Sequence, residues 1–332
     1  MSKSTVTPIY ILSGFLGSGK TTLLQKLVSY WQDQNLLPAV IMNEVGDVNL
    51  DGLLVSEQVP MTEMLGGCIC CSIRGDLSME IAGLIQREGP DVIVVEATGI
   101  ANPMEILDGV TEAALYLRIE LKGVITVVDA PHLLELYHNQ KGKTFRLMQE
   151  QIRTASCLIL NKTDRVNADE QGLLSAVMAR WNEYAPVLPA VRCEVSIPHV
   201  LKPLNGPMGD LHEGSEGHIG AAGEAAESHD HEEAHSHTHH EHVMVYTHYL
   251  SGPVDSSEFE SFIAQLPREV YRAKGVLTFS DTASRFLFQY AFREPDFLSI
   301  RPQGEVPDVV VFIGEHFSKT AIEQGMRALE EA

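Results

Sequence analysis

Short, continuous apolar runs recur along the first 200 residues: Ile9-Tyr10-Ile11-Leu12, Pro38-Ala39-Val40-Ile41-Met42, Val92 to Val95, Gly123 to Val128 and Cys157 to Leu160. They lack the polar alternation of a half-solvated strand, and each ends in a polar or Gly-containing segment. Such runs predict parallel strands buried on both faces. Helical patterns lie between them, as in Leu23-Leu24-Gln25-Lys26-Leu27-Val28 and in a helix starting near Asp169. The alternation predicts an α/β domain with a doubly wound, mainly parallel sheet, closing with strands at Val187 to Val191 and Cys193 to Val195. Beyond Lys202 the character changes. No Lys or Arg occurs from Pro203 to Pro267, and Gly, Ala, Glu and His dominate Asn205 to His242 with little to bury, so composition predicts a disordered linker. Periodicity returns at Val243-Met244-Val245-Tyr246-Thr247. A helix near Asp255 to Leu266, strands around 269–279, 285–292 and 309–313, and a last helix from Ser318 to Leu329 predict a small α+β domain. The chain therefore divides into 1–202, 203–242 and 243–332.

The first strand runs into Gly14-Phe15-Leu16-Gly17-Ser18-Gly19-Lys20-Thr21-Thr22 and then into the first helix. Glycines at 14, 17 and 19 let the backbone of the loop, with Ser18 and Thr22, wrap phosphate oxygens with N–H groups. Lys20 reaches the β- and γ-phosphates, and the Thr21 hydroxyl ligates Mg2+. The helix aims the positive end of its dipole at the same anion. A Gly-rich turn would explain the glycines but not Lys20 and Thr21 at that offset. Two later segments complete a nucleotide set. The loop Asn43-Glu44-Val45-Gly46-Asp47 follows the second run, where Glu44 is a candidate for contact with the Mg2+ and γ-phosphate region; the bland reading is a solvated loop. Glu96-Ala97-Thr98-Gly99 ends the third run, where the Glu96 carboxylate can hold the Mg2+ shell and Gly99 can offer its N–H to the γ-phosphate.

Asn161-Lys162-Thr163-Asp164 sits at the carboxyl end of a later strand, the edge where ligands bind in such sheets. The Asp164 carboxylate can accept both hydrogens that guanine offers from N1 and its exocyclic amine, whereas adenine carries no hydrogen on N1. Lys162 can cover the base with its aliphatic stem, and Asn161 ties the loop to the base or to the phosphate loop. The bland alternative is a turn that caps the next helix.

Two further segments point to metal. Gly66-Gly67-Cys68-Ile69-Cys70-Cys71 brings Cys68, Cys70 and Cys71 together as three of the four ligands of a tetrahedral site; the fourth is water, another side chain or a partner's group. Redox chemistry or packing are the competing uses. In the linker, His229, His231, His235, His237, His239, His240 and His242 interleave with Asp and Glu, giving adaptable sites for Zn2+, Ni2+ or Co2+ or else a solvated spacer. The net charge of −21 argues against nucleic acid or an anionic membrane as partner. No apolar run approaches the ~20 residues of a membrane span. The nucleotide strand starts within ten residues of Met1, which leaves no room for a signal peptide, and the five cysteines do not form a secreted disulfide pattern, so a cytoplasmic location is expected.

Taken in order, Gly-Phe-Leu-Gly-Ser-Gly-Lys-Thr-Thr, Asn-Glu-x-Gly, Gly-Gly-Cys-x-Cys-Cys, Glu-x-Thr-Gly and Asn-Lys-x-Asp resemble the CobW-like metallochaperone GTPases, relatives of the nickel-insertion GTPases of urease and hydrogenase maturation. The resemblance covers nearly the whole chain, His-rich linker and C-terminal domain included. It implies a P-loop GTPase fold, GTP and Mg2+ as ligands, and hydrolysis coupled to capture of Zn2+, or in some members Co2+ or Ni2+, for a client metalloprotein. Family members commonly carry Asn-Glu-Phe-Gly where this chain has Asn43-Glu44-Val45-Gly46. The cysteines lie between the two segments that would sense the γ-phosphate, so hydrolysis would change their geometry and the hold on metal. The alternatives are an ATP-dependent kinase or ligase on the same fold and a metal-storage protein whose nucleotide only stabilises it. A nucleotide-dependent homodimer is compatible with the sequence.

Overall fold

The computed structural model describes residues 6–42, 59–63, 73–99, 101–205, 243–291, 293–301 and 306–331. The first domain carries strands β1 (Thr7–Gly14), β2 (Pro38–Met42), β3 (Met61–Glu63), β4 (Val92–Glu96), β5 (Ile119–Asp129), β6 (Cys157–Asn161) and β7 (Val187–Pro189). They form one sheet in the order β3-β2-β4-β1-β5-β6-β7, with every neighbouring pair parallel. The chain leaves β1 toward one edge and returns to build the other, so the end of β1 lies at the point where the winding reverses. In open α/β sheets the crevice for ligands opens there.

Burial on both faces explains the unbroken apolar runs. Ile9 and Ile11 point to the side covered by α2 (Ile73–Glu88) and α3 (Pro103–Ala113), whose Leu77, Ile81, Ile106 and Val110 join the same core. Tyr10 and Leu12 point to the other side, packed by α1 (Lys20–Asp33) and α7 (Ile197–Asn205). Three more helices, α4 (Ala130–Asn139), α5 (Lys143–Arg153) and α6 (Ala168–Trp181), cover β5 and β6 through Leu133, Met148, Ile152 and Leu174. The closing strand is shorter than expected. It ends at Pro189, and the expected strand from Cys193 is instead a turn in which Arg192 and Cys193 hold φ of 52° and 54°.

The second domain is an antiparallel sheet ordered β11-β10-β9-β12-β8, built from β8 (Met244–Tyr249), β9 (Val270–Thr278), β10 (Arg285–Ala291), β11 (Glu294–Ile300) and β12 (Val309–Gly314). Helices α8 (Ser256–Ala264) and α9 (Lys319–Glu331) cover one face over Phe259, Phe288 and Phe312. The apolar pattern does not predict β11. It is an edge strand exposed along most of its length, and an edge strand is where a proline such as Pro295 is tolerated.

The other face of this sheet shares a core with the first domain: Val245, Val276, Val309, Val311 and Ile313 pack in the cluster that contains Ile106, Leu107 and Val110 of α3. Polar contacts pin the seam. The Tyr249 hydroxyl accepts from the Ile119 N–H at 2.8 Å and lies 2.6 Å and 3.0 Å from the carbonyls of Ile119 and Leu117. Arg272 pairs with the buried Asp108 of α3, and Lys274 with Glu112 at 3.9 Å. No described helix is long and apolar enough to cross a membrane.

Candidate functional site

The loop after β1 is shaped by positions that tolerate no side chain. Gly14 has φ of +136°, and a Cβ there would lie 2.2 Å from the Val127 carbonyl oxygen; Gly19 has φ of +112°, with a Cβ 2.5 Å from Asn161 Nδ2. Helix α1 starts at Lys20 with no side-chain cap from Gly19, which leaves its first-turn N–H groups directed at the loop interior. Lys20 is buried, with Nζ 3.2 Å from the Phe15 carbonyl oxygen. The Thr21 hydroxyl donates to Glu96 Oε1 at 3.5 Å. Gly17, Gly19, Lys20, Thr21, Glu96 and Gly99 all line one cleft of about 190 Å3. Ser18 is fully buried under the loop, and Thr22 lies on the exposed side of the first helical turn.

Glu96 reaches this cleft because β4 lies directly beside β1, with Glu96 in register with Leu12. The chain then turns through a Thr98-to-Ala101 backbone hydrogen bond into α3, capped by Asn102 Oδ1 accepting from the Met104 N–H at 3.0 Å. Gly99 rests on the phosphate loop so closely that a Cβ would lie 2.4 Å from the Leu16 nitrogen.

The loop after β6 is fastened to the phosphate loop from the opposite side. Asn161 Nδ2 donates to the Ser18 carbonyl at 2.7 Å, and its Oδ1 accepts from the Cys193 N–H at 2.9 Å. Of the two tethers open to Asn161, the geometry uses the phosphate loop. Lys162, at φ 61°, donates from Nζ to the Gly17 carbonyl at 2.7 Å and pairs with Asp129 at the end of β5. Asp164 stands exposed on the short 3-10 turn Thr163–Arg165. Asn167 and Glu170 form a capping box that starts α6.

The families recognised in the chain follow this division. The description "CobW/HypB/UreG, nucleotide-binding domain" matches residues 8–189, and "Cobalamin synthesis protein cobW C-terminal domain" matches 244–330. The chain belongs to the CobW/HypB/UreG family. It is 30% identical to zinc-regulated GTPase metalloprotein activator 1 of Dictyostelium discoideum over 58% of this chain and 48% of that protein. It is 29% identical to zinc chaperone YjiA of Escherichia coli (strain K12) over 97% and 98% of the two chains. The crystal structure of Zn(II)-bound YjiA GTPase from E. coli aligns over 98% of this chain and 99% of that one, at 24% identity and a TM-score of 0.46. The matched stretch spans about half the length of the Dictyostelium relative and of two other curated relatives.

Three residues of this CobW/HypB/UreG chain support the cleft without belonging to any motif. Asp129 holds Lys162 while its Oδ1 caps α4 by accepting from the His132 N–H at 3.1 Å. Gln151 of α5 donates from Nε2 to the Gly99 carbonyl at 3.3 Å. Cys193 adds an Sγ contact of 3.4 Å to the Gly19 carbonyl, just beyond the matched 8–189 segment. Only Asp129 carries a hint in sequence, as an acidic strand end ahead of a helix that opens with Pro131. Burial pushes the Cys193 thiol up to about 11 and the Cys157 thiol up to about 12, which keeps both protonated near neutral pH. Glu44, the cysteines at 68, 70 and 71, and the seven histidines from His229 to His242 lie outside the described residues. Among the described residues no cluster of three or more His, Cys, Asp or Glu side chains is arranged to hold a metal ion.

Proposed function

We propose that this chain is a GTP-hydrolysing metallochaperone: it binds GTP with Mg2+ in the cleft between the phosphate loop and Glu96, and couples hydrolysis to capture and transfer of Zn2+ to a client metalloprotein. The observation that carries the reading is the convergence of Lys20, Thr21, Glu96 and Gly99 on one cleft, with the Asn161 and Lys162 side chains clasped to the same loop. The names of the relatives, zinc chaperones and a zinc-regulated GTPase activator, support the choice of metal.

Loop N–H groups and Lys20 bind the phosphates. The Thr21 hydroxyl and Glu96 carboxylate are hard oxygen donors 3.5 Å apart, a set that fits Mg2+, which when bound would neutralise charge on the phosphates. Gly99 lines the same cleft, and its N–H would donate to the γ-phosphoryl oxygens. Asp164 accepts from guanine N1–H and the exocyclic amine, over a floor made by the Lys162 stem. In the reaction a water oxygen bonds to the γ-phosphorus, and the bond to the β,γ-bridging oxygen breaks. GDP takes that electron pair, and the water proton passes to phosphate or solvent. The Zn2+ cargo sits on Cys68, Cys70 and Cys71. Helix α2 starts at Ile73, two residues past Cys71, and packs along α3, which starts at Pro103, four residues past Gly99; Ser78 Oγ of α2 donates to the Gly109 carbonyl at 3.2 Å. This pair joins the metal segment to the nucleotide segment.

The test is turnover by the untagged protein with GTP and ATP, titrated with Zn2+, Co2+ and Ni2+, alongside its metal content. Metal-stimulated turnover confined to GTP is expected. Equal ATP turnover would make the chain a kinase or ligase, and several bound ions without GTP turnover would make it a metal store.

A further inference from the structure

Among the described residues Gln151 is one of the few polar side chains with no exposure at all, and the nucleotide motifs do not account for it. It lies on α5, 52 positions from Gly99 in sequence, and its side chain donates to the Gly99 carbonyl at 3.3 Å. Its own backbone carbonyl accepts from Thr126 Oγ1 at 3.0 Å, which fixes the helix turn that presents it. No described donor reaches Gln151 Oε1. The amide cannot be turned round to relieve this, because its oxygen would then face the Gly99 carbonyl oxygen. A buried acceptor left unmet costs stability. A position serving only the packing of α5 would therefore be better filled by Met or Leu. What the amide achieves is local to Gly99. Glycine is the residue with the widest backbone freedom, and this one lies against the Leu16 nitrogen with no side chain to hold it.

We propose that Gln151 is the positioning residue of the γ-phosphate sensor: by holding the Gly99 carbonyl it pins one side of this glycine and so restricts rotation of the preceding Thr98–Gly99 peptide, whose N–H would meet the terminal phosphate. The inference rests on the GTPase reading above and deepens it. GDP has no terminal phosphate, so the latch favours the triphosphate over the diphosphate. A group that only filled space would affect both nucleotides alike.

Gln151→Met keeps length and volume while removing the donor. Expected are an about fivefold weaker affinity for a non-hydrolysable GTP analogue and a similar fall in kcat, the size of one lost hydrogen bond. GDP affinity should stay unchanged, and the melting temperature should change little, because the Gly99 carbonyl loses its donor while the unmet Gln151 Oε1 is removed. Gln151→Leu should behave the same way. Equal loss for GDP and the analogue, or no loss for either, would overturn the assignment. So would failure of both variants to fold, which would make the amide part of the scaffold. If the unaltered protein neither prefers the analogue nor hydrolyses GTP, the GTPase reading itself fails.

Discussion

The Asp129 carboxylate does two jobs, and two substitutions separate them. One oxygen caps α4 and the other holds the Lys162 ammonium, whose remaining described bond goes to the Gly17 carbonyl of the phosphate loop. Asp129→Asn keeps a cap of equal quality and the side-chain shape, but exchanges a charge-assisted contact for a neutral one. The pair is half-buried, at 26% and 13% side-chain exposure, so it is worth more than a surface ion pair and less than a fully desolvated one. Charge-assisted bonds contribute about 1.5–3 kcal/mol against about 1 for a neutral bond, so the exchange removes about 1 kcal/mol from the hold on Lys162. On the proposed reading, in which the Lys162 stem forms the floor under guanine, that becomes an about fivefold weaker GDP affinity, with a slightly lower melting temperature because the pair is also made in the nucleotide-free fold. Asp129→Ala removes the cap as well, about 1 kcal/mol more, and should lower the melting temperature by a few degrees on top of the same affinity loss. Titration calorimetry with GDP and a thermal melt on each variant make the comparison. If Asp129→Asn binds GDP as tightly as the unaltered protein, Lys162 is not held in place by Asp129.

Tyr249→Phe strips one hydroxyl from three backbone groups at the domain seam, so a loss of about 1–3 kcal/mol is expected, read as a melting temperature about 1.5–4 °C lower with GDP affinity unchanged. Cys157 and Cys193 stay protonated in the folded chain up to about 12 and about 11 but titrate near their ordinary 9.0 when unfolded. The unfolded state therefore binds fewer protons than the folded one above pH 9, and denaturant midpoints should fall as pH climbs from 9 toward 11, a trend that Cys193→Ala should soften. Changing Cys68, Cys70 and Cys71 to Ser should abolish metal stimulation of GTP turnover and spare GTP binding, while deleting 229–242 should remove only weak, acid-sensitive metal sites, because imidazole must be neutral to ligate. Stimulation that survives the Ser changes and dies with the deletion would put the regulatory metal on the histidine tract.

The sheet of the first domain was legible because its strands are buried on both faces, and burial on both faces writes an apolar run that neighbours cannot disguise. The same logic hid β11. An edge strand needs neither an apolar face nor an N–H at every position, so Glu294-Pro295-Asp296 reads as loop while the backbone pairs with β10. The turn at Arg192 and Cys193 failed for another reason: two non-glycine residues hold positive φ there, and the apolar run on either side gives no sign of it.

The site divided along a similar line. Residues that would touch nucleotide were legible because phosphate and guanine impose fixed residue types at fixed offsets, as at Lys20, Thr21 and Asp164. The residues that hold those in place were not. Asp129 meets Lys162 across 33 positions and Gln151 meets Gly99 across 52. Those separations are set by helix and loop lengths that the ligand never sees, so no spacing rule can carry them. A supporting residue answers to the group it holds, a backbone carbonyl in the case of Gln151 and a side-chain ammonium in the case of Asp129, and any residue type with the right donor or charge at that point in space would serve. The Asn161 tether shows where the two kinds meet: a motif residue spends both ends of its amide on protein, Ser18 on one side and Cys193 on the other, so the motif proposed to select the base also fastens the loop proposed to bind the phosphates.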